Sequence, residues 1–219
     1  MTAHITGRQA SNAVDWSSRI QAALQQQPDM SAATLIAGVA PEQQAQLAAW
    51  LPAQRTPAAV LLPIVQHASG WTMLFTQRAS HLRRHAGQIS FPGGRIEAQD
   101  VDAAMAALRE TEEEIGLSRD HVRIVGVLPS QVVLTGYQIT PVVGLVTPGF
   151  NLQLDSNEVS AVFEAPLDYL FDPANHQLRE RQLQQLTVRG YDIVFGEHRI
   201  WGATAGILMN LYRLLNLKV

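Results

Sequence analysis

The sequence predicts an α/β protein in which a mixed sheet is flanked by helices, with a helical arm ahead of it. Two short apolar runs, Ala59–Val65 and Trp71–Gln77, are separated by the turn-forming His67–Gly70 and read as a β-hairpin. Two longer segments, Val101–Ile115 and Trp201–Leu217, carry helical periodicity. The strands and helices do not alternate regularly, which favours a mixed sheet over a wholly parallel one.

Taken in order, residues 1–54 form the arm and residues 55–219 the main domain. Within the arm, Val14–Leu24 and Ala40–Leu51 are rich in Ala, Gln and Leu, with apolar residues at helical spacing, and Pro28 and Pro52 punctuate them. Asp15 or Ser11 suits the cap of the first segment, and Pro41 the first turn of the second. Such an arm packs on the main domain or on a partner subunit, and a homodimer is left open. After the hairpin comes a loop-like stretch, Arg78–Gly94. In the helix that follows, Met105, Leu108 and Ile115 supply an apolar stripe, and Gly116 stands where a helix commonly stops. Further strands are expected at Val122–Leu128, Gln138–Val146 and Val159–Phe163.

Composition bounds the function. A chain of 219 residues, 47% apolar and 16% charged, has the make-up of a globular protein with a sizeable core. A net charge of −3 provides no bulk positive field for nucleic acid or anionic membrane, and neither is expected as a partner. The absence of cysteine excludes disulfides, thiolate metal sites and cysteine nucleophiles. The N-terminal residues lack the apolar core of a secretory leader, and no apolar run reaches the roughly 18 residues of a membrane span. A cytoplasmic protein is the expectation.

The segment richest in chemistry is Arg109–Leu117, RETEEEIGL. On a helix, Glu110, Glu113 and Glu114 stand at i, i+3 and i+4 and share one face. Like charges so placed repel. A divalent cation with a preference for hard oxygen ligands, Mg²⁺ or Mn²⁺, removes the conflict. Glu112 points away and reads as a solvated residue. Arg109, one turn before Glu113, can pair with it or orient a neighbouring carboxylate. A charged helix surface would explain these acids equally well were it not for Phe91-Pro92-Gly93-Gly94 upstream. Paired glycines let backbone approach a ligand, so that carbonyls can join a metal shell and amides can face a phosphate.

In that order, glycine loop, helix and carboxylates resemble the Nudix family. Arg109–Leu117 matches the second half of its box, with Thr111 in place of an apolar residue. The first half departs further. Gly94 lies one residue farther from Arg109 than the general box requires, and Val101 holds the expected Glu position, with Asp100 and Asp102 beside it and assigned no role. The extra residue is similar to the coenzyme A pyrophosphatase branch, as are Leu74–Arg78, Leu82–Gly94, Gly136-Tyr137, Thr140–Gly144 and Ile200–Ala205. Gln88 stands where many members of that branch carry glutamate; it keeps the reach and loses the charge.

The resemblance implies an α/β/α Nudix sandwich and a metal-dependent diphosphatase acting on a small nucleotide substrate. Glu110, Glu113 and Glu114, with a carbonyl near Gly94, would hold Mg²⁺ or Mn²⁺. For coenzyme A or its thioesters, the implied products are 4′-phosphopantetheine and adenosine 3′,5′-bisphosphate. Glu158 is a candidate general base, an exposed loop glutamate being the other reading. Arg78, Arg83 and Arg84, together with the Gly93–Gly94 turn, are candidate substrate contacts because guanidinium forks match phosphate oxygens; surface salt bridges are the alternative. His85 reads as structural. Two other functions stay open: hydrolysis of another nucleoside diphosphate derivative such as ADP-ribose, or a catalytically silent Nudix-like binding module.

Overall fold

The computed structural model describes residues 14–26, 35–183 and 186–215. Among the described residues, five α-helices run Trp16–Gln25 (α1), Gln44–Leu47 (α2), Ala103–Ile115 (α3), Leu167–Leu170 (α4) and Gly202–Leu214 (α5). Twelve strands run Leu35–Ile36 (β1), Thr56–His67 (β2), Gly70–Arg78 (β3), Ile89–Ser90 (β4), Gly93–Arg95 (β5), Val122–Val127 (β6), Gln131–Val132 (β7), Tyr137–Val146 (β8), Val159–Pro166 (β9), Gln177–Leu183 (β10), Leu186–Phe195 (β11) and His198–Ile200 (β12).

The first nine strands form one mixed sheet. β2 and β3 make the expected antiparallel hairpin, closing at His67 and Gly70. β2 also runs parallel to β8 along ten residue pairs and antiparallel to β5, where Ala59 faces Gly94 and Val60 faces Gly93. Strand period then sorts β2 between two layers. Ala59 and Leu61 pack with Ala106, Ala107 and Leu108 of α3 on one side. Leu62 and Ile64 pack with Ile207, Leu208 and Leu211 of α5 on the other. The result is an α/β/α sandwich, as expected.

The helix α3 starts at Ala103 because Asp102 caps it, accepting from the Met105 amide at 2.8 Å. It stops at Gly116, whose φ of 69° is the left-handed conformation of a helix-ending glycine. Of the expected stripe, Leu108 and Ile115 are buried, but Met105 is exposed. Ala106 and Ala107 take the buried positions instead, because small side chains let α3 lie close to the sheet. Thr111 is fully buried and stays satisfied by donating to the Ala107 carbonyl at 2.6 Å.

In the arm, α1 forms where expected, capped by Asp15; Ser11 lies outside the described residues. Trp16 and Ile20 enter the same core as Met73 and Phe75, the Trp16 indole donates to Asp168, and Arg19 donates to the Leu215 carbonyl. The single helix expected over Ala40–Leu51 is not formed. The chain makes a 3₁₀ turn at Pro41–Gln43, the one-turn α2, and another 3₁₀ turn at Ala48–Trp50. Only Leu47 of Pro41–Trp50 is buried, so no continuous apolar face holds a longer helix. Side-chain bonds win locally, with Gln44 gripping the Ile36 backbone and the Val39 carbonyl and Gln43 gripping Thr187 and Arg189. The closing helix spans Gly202–Leu214, and the expected end at Leu217 lies outside the described residues. The antiparallel sheet β10–β11–β12 was not anticipated.

Truncating Ile20, which has no exposed surface, tests the bond between arm and domain. Ile20→Ala is expected to lower unfolding free energy in urea by about 2–4 kcal/mol. A loss below about 1 kcal/mol would mean that α1 is dispensable to the core.

Candidate active site

The site forms where β5 is wedged between β2 and α3. At Gly93, φ is 147°, and a Cβ would lie 2.3 Å from the Ala59 carbonyl oxygen. A Cβ on Gly94 would lie 2.3 Å from a carboxylate oxygen of Glu110. Gly93 is therefore required by space and by its backbone angle, whereas a side chain at Gly94 would push the Glu110 carboxylate aside. Their absent side chains bring the turn against the acidic face of α3.

Glu114 is the deepest of the acids, with its side chain 5% exposed. One carboxylate oxygen accepts from the Gly93 amide at 3.1 Å, and the other lies 4.0 Å from Arg78 Nη1. Burial pushes its pKa up to about 7; the Gly93 N–H and Arg78 oppose this, and the charges of Glu158 and Glu110 add to it. Glu110 is also raised, first by burial, then by Glu113 and Glu158, with Arg109 acting against. Glu113 is different: its side chain is 60% exposed and accepts from Arg109 Nη1 at 3.0 Å.

Arg109 organises these groups. It reaches Glu110 Oε1 and Glu113 Oε2 at 3.0 Å each through Nη1, and the Arg95 carbonyl through Nη2. Its other edge is held by both oxygens of Asp100, at 3.0 and 2.9 Å. These bonds hold the Asp100 carboxyl below its usual range. Sequence reasoning missed Asp100 as a positioning residue; its signal was an acid beside the empty Glu position, nine residues ahead of an arginine. Asp102 caps α3, and Val101 is exposed. Glu112, read as free in solvent, instead binds the Arg119 amide and guanidinium beyond the end of the helix.

Of the other expected residues, Glu158 is exposed on the loop entering β9, close enough to Glu110 and Glu114 for its charge to be felt at both. Its carbonyl accepts from the Ala79 amide. Arg78 has a buried Nε without a hydrogen-bond partner. The loop 79–88 closes on Arg78, whose amide donates to the Gln88 carbonyl and whose carbonyl accepts from Gly87. Arg83 and Arg84 are exposed on this loop, and neither forms an ion pair among the described residues. His85 adopts φ 58° and shares a hydrogen bond of 2.9 Å with the side-chain oxygen of Gln88.

The structure thus brings Glu110 and Glu114 to the glycine turn and turns Glu113 towards Arg109. Among the described residues, no group of three or more His, Cys, Asp or Glu side chains is placed to hold a metal ion. The residues nonetheless fit a divalent cation. Two desolvated carboxylates retain protons beyond their usual range, which marks a deficit of positive charge, and the hard oxygen set suits Mg²⁺ or Mn²⁺.

With this geometry in hand, comparison with known proteins is decisive, since residues 54–187 match the NUDIX domain family. The chain belongs to the Nudix family. It is similar to the uncharacterized Nudix hydrolase NudL of Escherichia coli strain K12, with 40% identity over 161 residues, covering 74% of this chain and 83% of that one. NudL of Shigella flexneri serotype 5b is 39% identical over 167 residues, covering 76% and 86%. Among solved structures, a Nudix hydrolase from M. Smegmatis, RenU, aligns with a TM-score of 0.45 at 19% identity, over 52% of this chain and 73% of that one. The MutT protein from Methanosarcina mazei Go1 aligns with a TM-score of 0.44 at 20% identity, over 55% and 83%. Nudix hydrolases act on phosphoric anhydrides in small nucleotide substrates and generally use divalent metal ions, typically Mg²⁺ or Mn²⁺. Among the described residues, no helix of this Nudix protein is long and apolar enough to cross a membrane.

The raised pKa of Glu114 has a consequence for stability. The unfolded chain loses this proton near 4.5 and the folded protein near 7, so between those values the native state binds more protons and stability falls as pH rises. At about 1.4 kcal/mol per pH unit, the metal-free protein is less stable above pH 7 than below 4.5 by on the order of 3 kcal/mol from this group. Glu114→Gln is therefore expected to melt higher than the parent in EDTA at pH 8 and to match it near pH 4.5. Coincident melting curves at pH 8 would show that this carboxylate is not desolvated.

Proposed function

We propose that the protein hydrolyses the diphosphate bond of coenzyme A or its thioesters, giving 4′-phosphopantetheine and adenosine 3′,5′-bisphosphate. The observation that carries this reading is the supply of arginine donors at and near the acidic turn that carboxylates leave unused. Arg78 lies 4.0 Å from Glu114 through Nη1 and keeps a buried Nε without a hydrogen-bond partner, and the loop anchored on Arg78 carries Arg83 and Arg84, which have no carboxylate partner among the described residues. Coenzyme A has a 3′-phosphate in addition to its diphosphate, so it offers one more anionic group than ADP-ribose to such a surplus. Similarity of Leu74–Gly94 to the coenzyme A pyrophosphatase branch supports the same choice.

In this mechanism Glu110, Glu113 and Glu114, with the backbone near Gly94, would hold Mg²⁺ or Mn²⁺. When bound, such ions neutralise the diphosphate and increase the acidity of water. Arg78 binds a phosphate oxygen through its guanidinium. Arg109, fixed by Asp100, holds Glu110 and Glu113 in place. Glu158 takes the proton from the attacking water as its oxygen bonds to phosphorus and the bridging P–O bond breaks. Each product leaves as a phosphate monoester, so atoms and charge balance.

The test is incubation with Mg²⁺ or Mn²⁺ and coenzyme A, ADP-ribose or NADH, with products identified by mass. Release of 4′-phosphopantetheine is expected; turnover of ADP-ribose alone rejects the substrate and leaves the chemistry standing. Glu113→Gln and Glu114→Gln are each expected to lower turnover by several orders of magnitude while the protein stays folded. Near-parental rates in both would remove the acidic helix from the mechanism. Replacing Arg83 and Arg84 together with Ala is expected to raise KM for coenzyme A about tenfold or more, with a smaller effect on kcat. An unchanged KM would dismiss this loop as a phosphate contact.

A further inference from the structure

On the side of the sheet away from α3, α1 and α5 enclose a cavity of about 500 Å³ with β1, β7 and the Leu128–Pro129 turn. Its walls are mainly apolar, with Ile36, Leu128 and Met209 prominent. One wall is fixed by a close backbone crossing: a Cβ on Gly206 would lie 2.2 Å from the Gly38 nitrogen, and one on Gly190 2.3 Å from the Gly38 oxygen. The polar groups here are mostly spent. Gln44 is committed to the backbone of Ile36 and Val39, and Asn210 accepts from Arg213 at 2.9 Å.

Gln131 is the exception. It is 1% exposed and lines the cavity, yet neither Oε1 nor Nε2 has a hydrogen-bond partner among the described residues. Its strand partner Ile139 packs into the α1 and α5 side of the core, which fixes the layer this side chain enters. A buried amide with donor and acceptor both unused is unfavourable unless a guest supplies the complement. The cavity is within the size range of small-molecule sites. Arg213 stands 5.8 Å from the Tyr191 ring centroid, is partly exposed, and forms no ion pair among the described residues.

We propose that this cavity is a second ligand site, separate from the carboxylate turn, that takes a mononucleotide. The two amide atoms of Gln131 lie just beneath the cavity wall, and a rotation of the side chain brings its adjacent donor and acceptor out to pair with a nucleobase edge, in the way a glutamine amide engages adenine N6 and N7. The apolar walls cover the ring faces, and Arg213 supplies positive charge for the phosphate. No chemistry occurs there; occupancy alone is proposed.

The test is calorimetric titration of the full chain with AMP, GMP, CMP and UMP in EDTA. At least one is expected to bind with Kd below about 1 mM, at least tenfold more weakly to Gln131→Met, and with unchanged affinity to Arg78→Ala. A second variant, Ala23→Phe, fills the cavity from the α1 wall without touching the amide and is also expected to lose binding. Without ligand, Gln131→Met is expected to melt higher than the parent, because an unsatisfied amide is removed. Failure of all four nucleotides to bind overturns the proposal. So does binding that survives both cavity variants or is lost in Arg78→Ala. A lower melting temperature for Gln131→Met, in a fold otherwise intact, would assign the amide to internal water and likewise overturn it.

Discussion

The distance between α3 and the Gly93–Gly94 turn governs the rest of the site. It is set by what is missing from the side chains between them. Ala59, Ala106 and Ala107 let the helix settle close to β2, and the two glycines let β5 slide between them with no side chain to displace the acids. Glu114 is then near enough to accept from a backbone amide while being almost fully removed from water. A single methyl group on Gly94 would occupy the space of the Glu110 carboxylate. Close packing, ordinarily a source of stability, here forces ionisable groups into a position that is unfavourable until a cation or proton arrives. The acidic turn is thus a locally destabilised part of a well-packed fold.

The three glutamates do not share that strain equally. Glu114 is buried and tied to the turn, Glu110 is partly buried and tied to Arg109, and Glu113 is largely exposed with an arginine partner. Arg109 can keep two carboxylates in reach without neutralising the site because Asp100 occupies its other edge. With Asp100 in place, the guanidinium is shared among several acceptors, and no single acid can claim it. The arrangement leaves Glu113 the freedom to move and Glu114 almost none, so the most confined of the three acids is also the one whose charge is most costly to bury.

Much of this was legible in the sequence because it depends on local chemistry. The hairpin, α3 with its Gly116 stop, the strands around Val122, Gln138 and Val159, and the closing helix all follow from period and punctuation. The acidic face needed only the spacing of Glu110, Glu113 and Glu114. What escaped depends on partners distant in the chain. The Ala40–Leu51 segment has helix-forming residues, but Gln43 and Gln44 find better use on β1 and β11 than on their own helix. β10 reads QLRERQL, a polar run that becomes a strand because β11 pairs with it and because Arg181 and Arg199 converge on the buried Asp192. Asp100 was visible as an acid near the box, but its bidentate hold on Arg109 requires the turn at Glu97–Asp100 to fold back, where the Glu97 amide binds Asp100 Oδ2.

The two faces of the sheet also differ in what they owe to the family. The Nudix match spans residues 54–187 and so contains β2, β5 and α3, every element of the acidic turn. The opposite face is completed by α1, β1 and α5, all of which lie outside that span. Alternation along β2 keeps the two sides energetically distinct, since Ala59 and Leu61 serve one and Leu62 and Ile64 the other. A change in the α1–α5 layer can therefore alter its cavity without moving a carboxylate. The acidic turn lies in the layer where geometry tolerates little variation, and the unsatisfied amide of Gln131, on a strand within the matched span, is found against the layer that α1 and α5 complete.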